Sequence, residues 1–402
     1  MFKGALPGFR DFYPQELAER AFIMDTWRAV ARRYAFVEYD GPPLEPLDLY
    51  TKKSGDEIVG QLYNFVDKGG REVALRPEMT PTVARMVAAR ANALRKPVRW
   101  FSMPQLFRYE RQQKGRLREH YQLNVDIFGS NDVAADAELV SCAVDMMRSF
   151  GLTSADVVVR VSDRRLLQGY LLSLGVAADV IPAVYLLIDK LERTPADVSR
   201  EKLAALGITG DASDRIIDIV SVEFAEVKTR LAGTAAEVHA LEFERFLAFV
   251  PALLGGDASW LRLDLSIVRG LAYYTGIVFE LFDRSGEFRA ICGGGRYDTL
   301  LESLGGADLP ALGFGMGDVV LGELLRSKGL MQPKDMSADY WIAAEETTPQ
   351  EQVMSEVARL RAAGHAVEYA LRPQSVSKQK KAAQASGAKQ FVTLSNGDTS
   401  NG

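Results

Sequence analysis

The stretch that decides the fold is Leu106–Gly129, LFRYERQQKGRLREHYQLNVDIFG. Two runs of alternating polar and apolar residues flank a short loop dense in positive charge. In the second run Tyr121, Leu123, Val125 and Ile127 point one way and Gln122, Asn124 and Asp126 the other. That two-residue period belongs to a half-buried strand, and the pattern predicts strands over 97–109 and 118–129. Between Arg108 and Arg118 lie five basic residues (Arg108, Arg111, Lys114, Arg116, Arg118) and one acid, Glu110. The whole chain carries a net charge of −5. A cationic hairpin on an acidic chain implies a local polyanion, either a polyphosphate or a nucleic-acid end. The amide and carboxylate groups just beyond the loop suit a ligand that carries an amine as well.

Working outward, 402 residues predict two or three domains, and 47% hydrophobic with 25% charged residues describes a globular chain with material for large cores. Cys142 and Cys292 lie far apart, so neither a disulfide framework nor a Cys-rich metal site can be built, and a reducing, cytoplasmic setting is expected. The opening MFKGALPGFRDFYPQEL lacks the apolar core of a signal peptide. No apolar run approaches the roughly 20 residues needed to cross a bilayer. The acidic balance excludes a protein that coats nucleic acid nonspecifically, while leaving a local basic site open.

Helical spacing of Leu17, Phe22, Ile23, Trp27, Val30 and Tyr34 predicts a helix over 14–35. A Pro-rich segment (41–55) follows, then a helix over 80–92, a helix from Asp132 to Phe150 capped by Asn131 or Asp132, and a strand at 157–161. Residues 163–256 carry helical patterns broken by Gly175, Pro195, Gly207, Ser213 and Gly233, which reads as a helical insertion. Strand character returns at 261–268 and 273–282 and resumes at FRAI (288–291). A Gly-rich turn at Gly293–Gly295 and a helix from Arg296 to Leu304 are expected next, followed by GFGMGDVVLGELLRSKG (313–329). After a linker near 331–337 the pattern β-α-β-α-β predicts a small α/β domain with parallel strands over 337–402.

Four segments hold polar residues that strand alternation does not explain as surface: LRPEMTP (75–81), the basic hairpin with Gln122 and Asp126, RGLAYYTG (269–276) and CGGGRYD (292–298). Alone, the glycine run lacks the spacing of a dinucleotide fold and the terminal Lys-Ser/Thr of a P-loop. Tyr273 and Tyr274 alone also suit core packing, and Asp126 alone suits pairing with an arginine.

Together the four segments closely resemble the catalytic core of the class II aminoacyl-tRNA synthetases, the histidyl-tRNA synthetase family in particular. FRYERQQKGRLREHYQ is similar to motif 2, RGLAYYTGIVFE and CGGGRYD to the two histidine-specific segments, and LPGFRDFYP to the N-terminal opening. The resemblance runs from about residue 5 to residue 330 and continues more weakly beyond. It implies an α+β fold, an antiparallel sheet core flanked by helices, divided into core (1–162), helical insertion (163–256), core (257–330) and a shortened anticodon-binding-like α/β domain (337–402).

The resemblance also implies roles. Arg108 would hold the ATP α-phosphate and the amino-acid carboxylate, Glu110 would face the adenine amino group, Arg116 the γ-phosphate, and His120 would stack on adenine. Glu78, Thr80, Gln122 and Asp126 would take the histidine α-amine, and Tyr273 and Tyr274 would line the imidazole pocket. Arg269 would stabilise charge developing on the α-phosphate, and Arg111, Gln113 and Lys114 would reach the tRNA acceptor end. The implied reaction uses ATP with Mg²⁺ and tRNA-His, and the helix and Pro-rich strand of 14–46 fit a homodimer interface. Motif 3 normally carries a Glu-Arg pair where this chain has Val319-Val320, a Gly-Asp-apolar version that one branch of the family shares. The rival from another class is a non-catalytic paralogue that regulates ATP phosphoribosyltransferase.

Overall fold

The computed structural model describes residues 4–51, 59–110, 115–268 and 274–395. The chain divides into two compact units, Met1–Gln332 and Pro333–Gly402. Strands of the first unit are β1 (Val37–Glu38), β2 (Leu44–Pro46), β3 (Tyr63–Val66), β4 (Glu72–Leu75), β5 (Val98–Ser102), β6 (Gln105–Phe107), β7 (Glu119–Phe128), β8 (Val157–Asp163), β9 (Leu261–Leu263), β10 (Ile277–Asp283), β11 (Cys292–Arg296) and β12 (Ala311–Gly317). Nine of them form one sheet in the order β1-β5-β7-β12-β11-β10-β8-β9, with β6 added alongside β7. Its interior pairings are antiparallel, as expected, and only the edge pairs β1–β5 and β8–β9 run parallel. A separate antiparallel sheet holds β2, β4 and β3.

Helices Pro14–Arg33 and Val133–Ser149 cover one face of the large sheet. Ile23, Trp27, Val30 and Ala31 of the first and Leu139, Val140, Ala143 and Met147 of the second share a core with Leu123, Val125 and Ile127 of β7. The expected cap is Asp132, whose side chain accepts the Ala134 N–H at 2.8 Å and satisfies a donor the first helical turn leaves unpaired. Helices from Arg164 to Leu253 fill the segment read as an insertion, and Leu166, Leu167, Tyr170, Phe243 and Phe246 join the same core. Among the described residues no helix is long and apolar enough to cross a membrane.

Five expectations need correction. The strand expected over 97–109 is interrupted at Met103–Pro104, because proline cannot donate a ladder bond. The run 261–268 is strand only over Leu261–Leu263, since Asp264 folds back on Ser266, accepting its amide N–H at 3.0 Å. FRAI (288–291) links β10 to β11 without being strand, and the expected helix from Arg296 shrinks to Leu300–Ser303. Gly293–Gly295 form no turn. They are the middle of buried strand β11, between β10 and β12.

The second unit matches its expected pattern. Strands β13 (Tyr340–Ala344), β14 (Val367–Tyr369) and β15 (Gln390–Leu394) pair in parallel in the order β14-β13-β15, connected through helices Gln350–Ala362 and Val376–Ser386.

Gly294 shows why β11 carries glycine. A Cβ there would collide with the Gly313 carbonyl oxygen and lie 2.5 Å from Phe314 Cβ. Gly294→Ala is therefore expected to destabilise the first unit by about 1–3 kcal/mol through overpacking. Gly317→Ala, where an added Cβ meets nothing within 4 Å, should stay within about 0.5 kcal/mol. Urea unfolding followed by tryptophan fluorescence compares the two, and equal effects would refute the packing account.

Candidate active site

Strand register gives the sheet two unlike faces. Asp126 pairs with Gly313 and Gly313 with Gly295, while Asn124 pairs with Gly315 and Gly315 with Gly293. Directly paired residues share a face. On the opposite face the same strands present Leu123, Val125, Phe314, Met316 and Cys292 to the core. One side is thus packed by helices and the other is cleared of side chains by glycine. Gln122 and Tyr274 close over the cleared ground. A Cβ on Gly315 would lie 2.7 Å from Gln122 Nε2, and one on Gly295 would lie 2.9 Å from Tyr274 Cδ1.

Asp126 lies buried in this floor. The Tyr297 hydroxyl donates to its Oδ1, and its Oδ2 has no hydrogen-bond partner. The partner is therefore a tyrosine, not the arginine that sequence alone left open. Burial pushes the Asp126 carboxyl up to about 7, with the Tyr297 hydrogen bond pulling the other way. The hydroxyl of Tyr39, which packs on Trp100 at a centroid distance of 5.4 Å, is also buried and unpartnered. Tyr274 packs beside Val83, Ala84, Val87 and Tyr297, so it is both a core aromatic and a wall of the cleared face.

The LRPEMTP segment reaches this site through Arg76, which is buried and structural. Its Nε donates to the Gln105 carbonyl at 3.0 Å, and its Nη1 donates to Asp40 at 2.9 Å and the Gly41 carbonyl at 2.7 Å. Glu78 is buried just ahead of helix Thr80–Arg90, whose first residue is Thr80. Arg108 Nε donates to the Pro77 carbonyl at 2.9 Å. That bond draws Arg108 to the Glu78–Thr80 turn and, among the described residues, no carboxylate neutralises its guanidinium within salt-bridge distance.

On the hairpin, Arg116 Nε lies 2.6 Å from Glu110 Oε2. Arg118 stacks on Tyr109 at 4.2 Å, and its amide donates to the Gly8 carbonyl at 2.9 Å, which ties the N-terminal opening to motif 2. Arg10 from that opening donates to Glu119 at 2.7 Å and to Asp318 at 2.9 Å. Asp318 in turn accepts the Tyr121 amide at 2.9 Å. Composition gave no signal for this clamp, because its members are separated by up to 308 positions. Burial, then the Arg108 and Arg10 charges, lowers the His120 pKa to about 3, so the ring is neutral at physiological pH.

The structure thus brings Glu78, Thr80 and Arg108 together at one edge, Gln122, Asp126 and Tyr274 on the floor, and Glu110, Arg116 and His120 along the hairpin. Arg269, Tyr273, Arg111, Gln113 and Lys114 lie outside the described residues.

The shift at Asp126 has a consequence for stability. The unfolded chain gives up this proton near the ordinary 3.8 and the native chain near 7. Over that window the native state holds a proton the unfolded state has lost, so stability declines as pH rises from about 4 to about 7 and then levels. At about 1.4 kcal/mol per unit the decline is on the order of a few kcal/mol. Subtracting the urea-derived stability of Asp126→Asn from that of the parent, pH by pH, should reveal it. A difference that grows with pH would mean the carboxyl is ionised in the native state.

The sequence profile of the histidyl-tRNA synthetase family matches residues 8–317. The histidine–tRNA ligase of Opitutus terrae is 45% identical over 388 residues, covering 96% of this chain and 89% of that protein. The chloroplastic/mitochondrial histidine–tRNA ligase of Arabidopsis thaliana is 41% identical over 364 residues, 90% of this chain and 74% of that one. Among solved structures, histidyl-tRNA synthetase from a Nostoc species superposes with a TM-score of 0.84 at 24% identity, covering 98% of this chain and 92% of that one. A Bacillus halodurans protein described as an ATP phosphoribosyltransferase regulatory subunit/histidyl-tRNA synthetase superposes at 0.80 with 21% identity, over 98% of this chain and 99% of that one. These two share the fold. The matched region contains the glycine-cleared face, the Arg108 hairpin and the Glu78 turn, and the chain belongs to the histidyl-tRNA synthetase family.

Proposed function

We propose that the chain is a histidine–tRNA ligase, which activates histidine with ATP and passes the acyl group to the 3′ end of tRNA-His. The observation that carries this reading is the glycine-cleared sheet face, walled by Gln122, Asp126 and Tyr274 and met at its edge by Arg108. In this reading Glu78, Thr80, Gln122 and Asp126 hold the α-amine, and Tyr273 with Tyr274 lines the imidazole pocket. Arg108 presents its fork of donors to the substrate carboxylate and the ATP α-phosphate, a geometry guanidinium matches well. The carboxylate attacks the α-phosphorus and pyrophosphate leaves. Arg269 offsets the charge that develops, so the protein supplies positioning and electrostatics and no nucleophile.

Glu110 and Arg116 touch, although they are assigned to the adenine and the γ-phosphate. ATP held by both must therefore bend back on itself, with neutral His120 offering a ring to stack on the base. Among the described residues no group of three or more His, Cys, Asp or Glu could hold a metal. In this reading Mg²⁺ arrives on the triphosphate oxygens. Arg111, Gln113 and Lys114 would meet the acceptor end, and the segments 1–162 and 257–330 would serve as core around the insertion 163–256, with 337–402 as the anticodon-side domain. A homodimer fits the exposed Leu44, Phe65 and Val66 of the small sheet, with Val37 exposed on the edge strand of the large one. The apolar face of Pro14–Arg33 is already committed to the core. The regulatory rival needs a histidine pocket but no Arg116, Arg269 or acceptor-reading loop, and relatives at 41% and 45% identity bear the ligase name.

The purified protein should catalyse ATP–pyrophosphate exchange that depends on histidine, and histidinol should compete. Binding without exchange would favour the regulator. Arg269→Ala should slow adenylate formation by about 100- to 1,000-fold while histidine affinity changes little, as expected for a group acting on transition-state charge. Equal losses in affinity and rate would make Arg269 a ground-state ligand.

Replacing Arg111 and Gln113 by alanine should slow aminoacylation and leave exchange nearly intact, because base-edge contacts concern tRNA alone. A minihelix holding only the acceptor stem should still be charged. If only full-length tRNA is charged, the 337–402 domain is a working anticodon reader.

A further inference from the structure

The floor of the site continues past β7 toward the edge of the large sheet. Val37 pairs with Trp100, and Trp100 with Asp126. Tyr39 stands two residues beyond Val37, and its amide donates to the Phe101 carbonyl at 2.9 Å, which carries the β1–β5 pairing onward. Side chains alternate along a strand, so Tyr39 lies on the face of Val37, Trp100 and Asp126. Phe101 and Val125 take the other face and belong to the main core. Tyr39 and Trp100 pack instead against the cluster that holds Tyr274 and Tyr297. The row that runs from the glycines through Asp126 thus ends in a phenol. The Tyr39 hydroxyl and Asp126 Oδ2 are both buried and neither has a hydrogen-bond partner, so they are not bonded to each other. Burial raises the Tyr39 pKa well above the ordinary tyrosine value, the Asp126 and Asp40 charges add to the rise, and Arg76 opposes it. The phenol therefore keeps its proton. Two orphaned polar atoms on one face cost stability in the ligand-free protein, and a guest that bonds both recovers it.

We propose that Tyr39 is a further histidine-binding residue, whose hydroxyl and Asp126 Oδ2 together take one nitrogen of the bound amino acid. The assignment rests on the ligase reading and deepens it. It brings into the site the chain just after β1, which none of the four polar segments contains. A nitrogen suits this pair of oxygens better than a carboxylate, which Asp126 would repel when ionised. An ammonium can donate to both oxygens, and a ring nitrogen can donate to Oδ2 or accept from the phenol. The α-amine and the imidazole share that chemistry, and analogues lacking one or the other separate them. Tyr39 packs on Trp100 at a centroid distance of 5.4 Å. Tyr39→Phe keeps that ring packing and removes only the oxygen.

The test uses the full-length protein, with histidine titrated calorimetrically and ATP–pyrophosphate exchange measured at varied histidine and varied ATP. Tyr39→Phe should weaken histidine binding and raise the KM for histidine by about 5- to 30-fold, the range for losing one buried hydrogen bond. The KM for ATP should move by less than about twofold. Urea stability of the ligand-free variant should equal or exceed that of the parent, because the lost hydroxyl had no partner there. Combining Tyr39→Phe with Asp126→Asn should weaken histidine binding by less than the product of the single effects, since both groups hold one nitrogen. Imidazole-4-propionate, which lacks the amine, and 2-thienylalanine, which lacks the ring nitrogens, then serve as competitors. Only one of them should lose affinity for Tyr39→Phe, and the one that does not identifies the nitrogen. A loss with both, or with neither, would overturn the assignment. So would histidine affinity within about twofold of the parent, or a variant less stable than the parent without ligand, which would make the hydroxyl structural. If the parent shows no histidine-dependent exchange, the ligase reading fails, and the histidine titration still decides the role of Tyr39.

Discussion

The register that sets Asp126 opposite Gly313, and Gly313 opposite Gly295, makes the central sheet a floor on one side and a core on the other. Side chains alternate between faces along every strand, so slipping β12 against β7 by one residue would exchange Phe314 and Met316 for glycines in the core. The core side specifies the register strongly because Leu123, Val125, Phe314 and Met316 all lose contact with water only when aligned. On the other face Gly313 and Gly315 contribute nothing to that choice, since glycine has no side chain to bury. Packing on one face thus fixes the geometry of the other. A pocket floor can be open and still well positioned for this reason.

Charge is arranged around the same floor with opposite treatments for the two signs. Three buried acids are matched by arginine: Arg10 bridges Glu119 and Asp318, and Arg296 pairs with Asp136 and lies 3.2 Å from Asp298, whereas Asp126, with one oxygen on the Tyr297 hydroxyl and the other unpartnered, is pushed toward its neutral form. An unmatched carboxylate at such depth would carry a severe desolvation penalty. Several cations of the hairpin are instead left near the surface in excess over their acids. Exposed excess charge is inexpensive in water, yet it raises the local potential in a cleft and draws in a polyanion. The chain's acidic balance keeps that potential local.

How much of this was legible depended on how local each signal was. The alternation of β7 and the β-α-β-α-β rhythm after residue 337 are carried by neighbouring side chains, and both were readable. The strand at Gly293–Gly295 was not, because three glycines erase the two-residue period and mimic a turn. The link at 288–291 looked like strand from its apolar content, but the ladder begins only at Cys292. Asp126 could be singled out from the alternation of β7, whereas the sequence marked Tyr297 only as part of CGGGRYD and gave no sign that the two would pair across 171 positions.

The segment GFGMGDVVL makes sense once the contacts of its two unusual positions are separated. Asp318 holds the start of its helix by accepting the Tyr121 amide and the Arg10 guanidinium, so one carboxylate joins the N-terminal opening, motif 2 and motif 3. Burial raises the pKa of that carboxyl and Arg10 lowers it, so the ion pair and the protonation state depend on one another. Two positions on, Val320 contributes apolar surface to the core, where a guanidinium would have to reach outward past Gly115 to find water or phosphate. A helix that anchors three segments gains from apolar packing at its first turn.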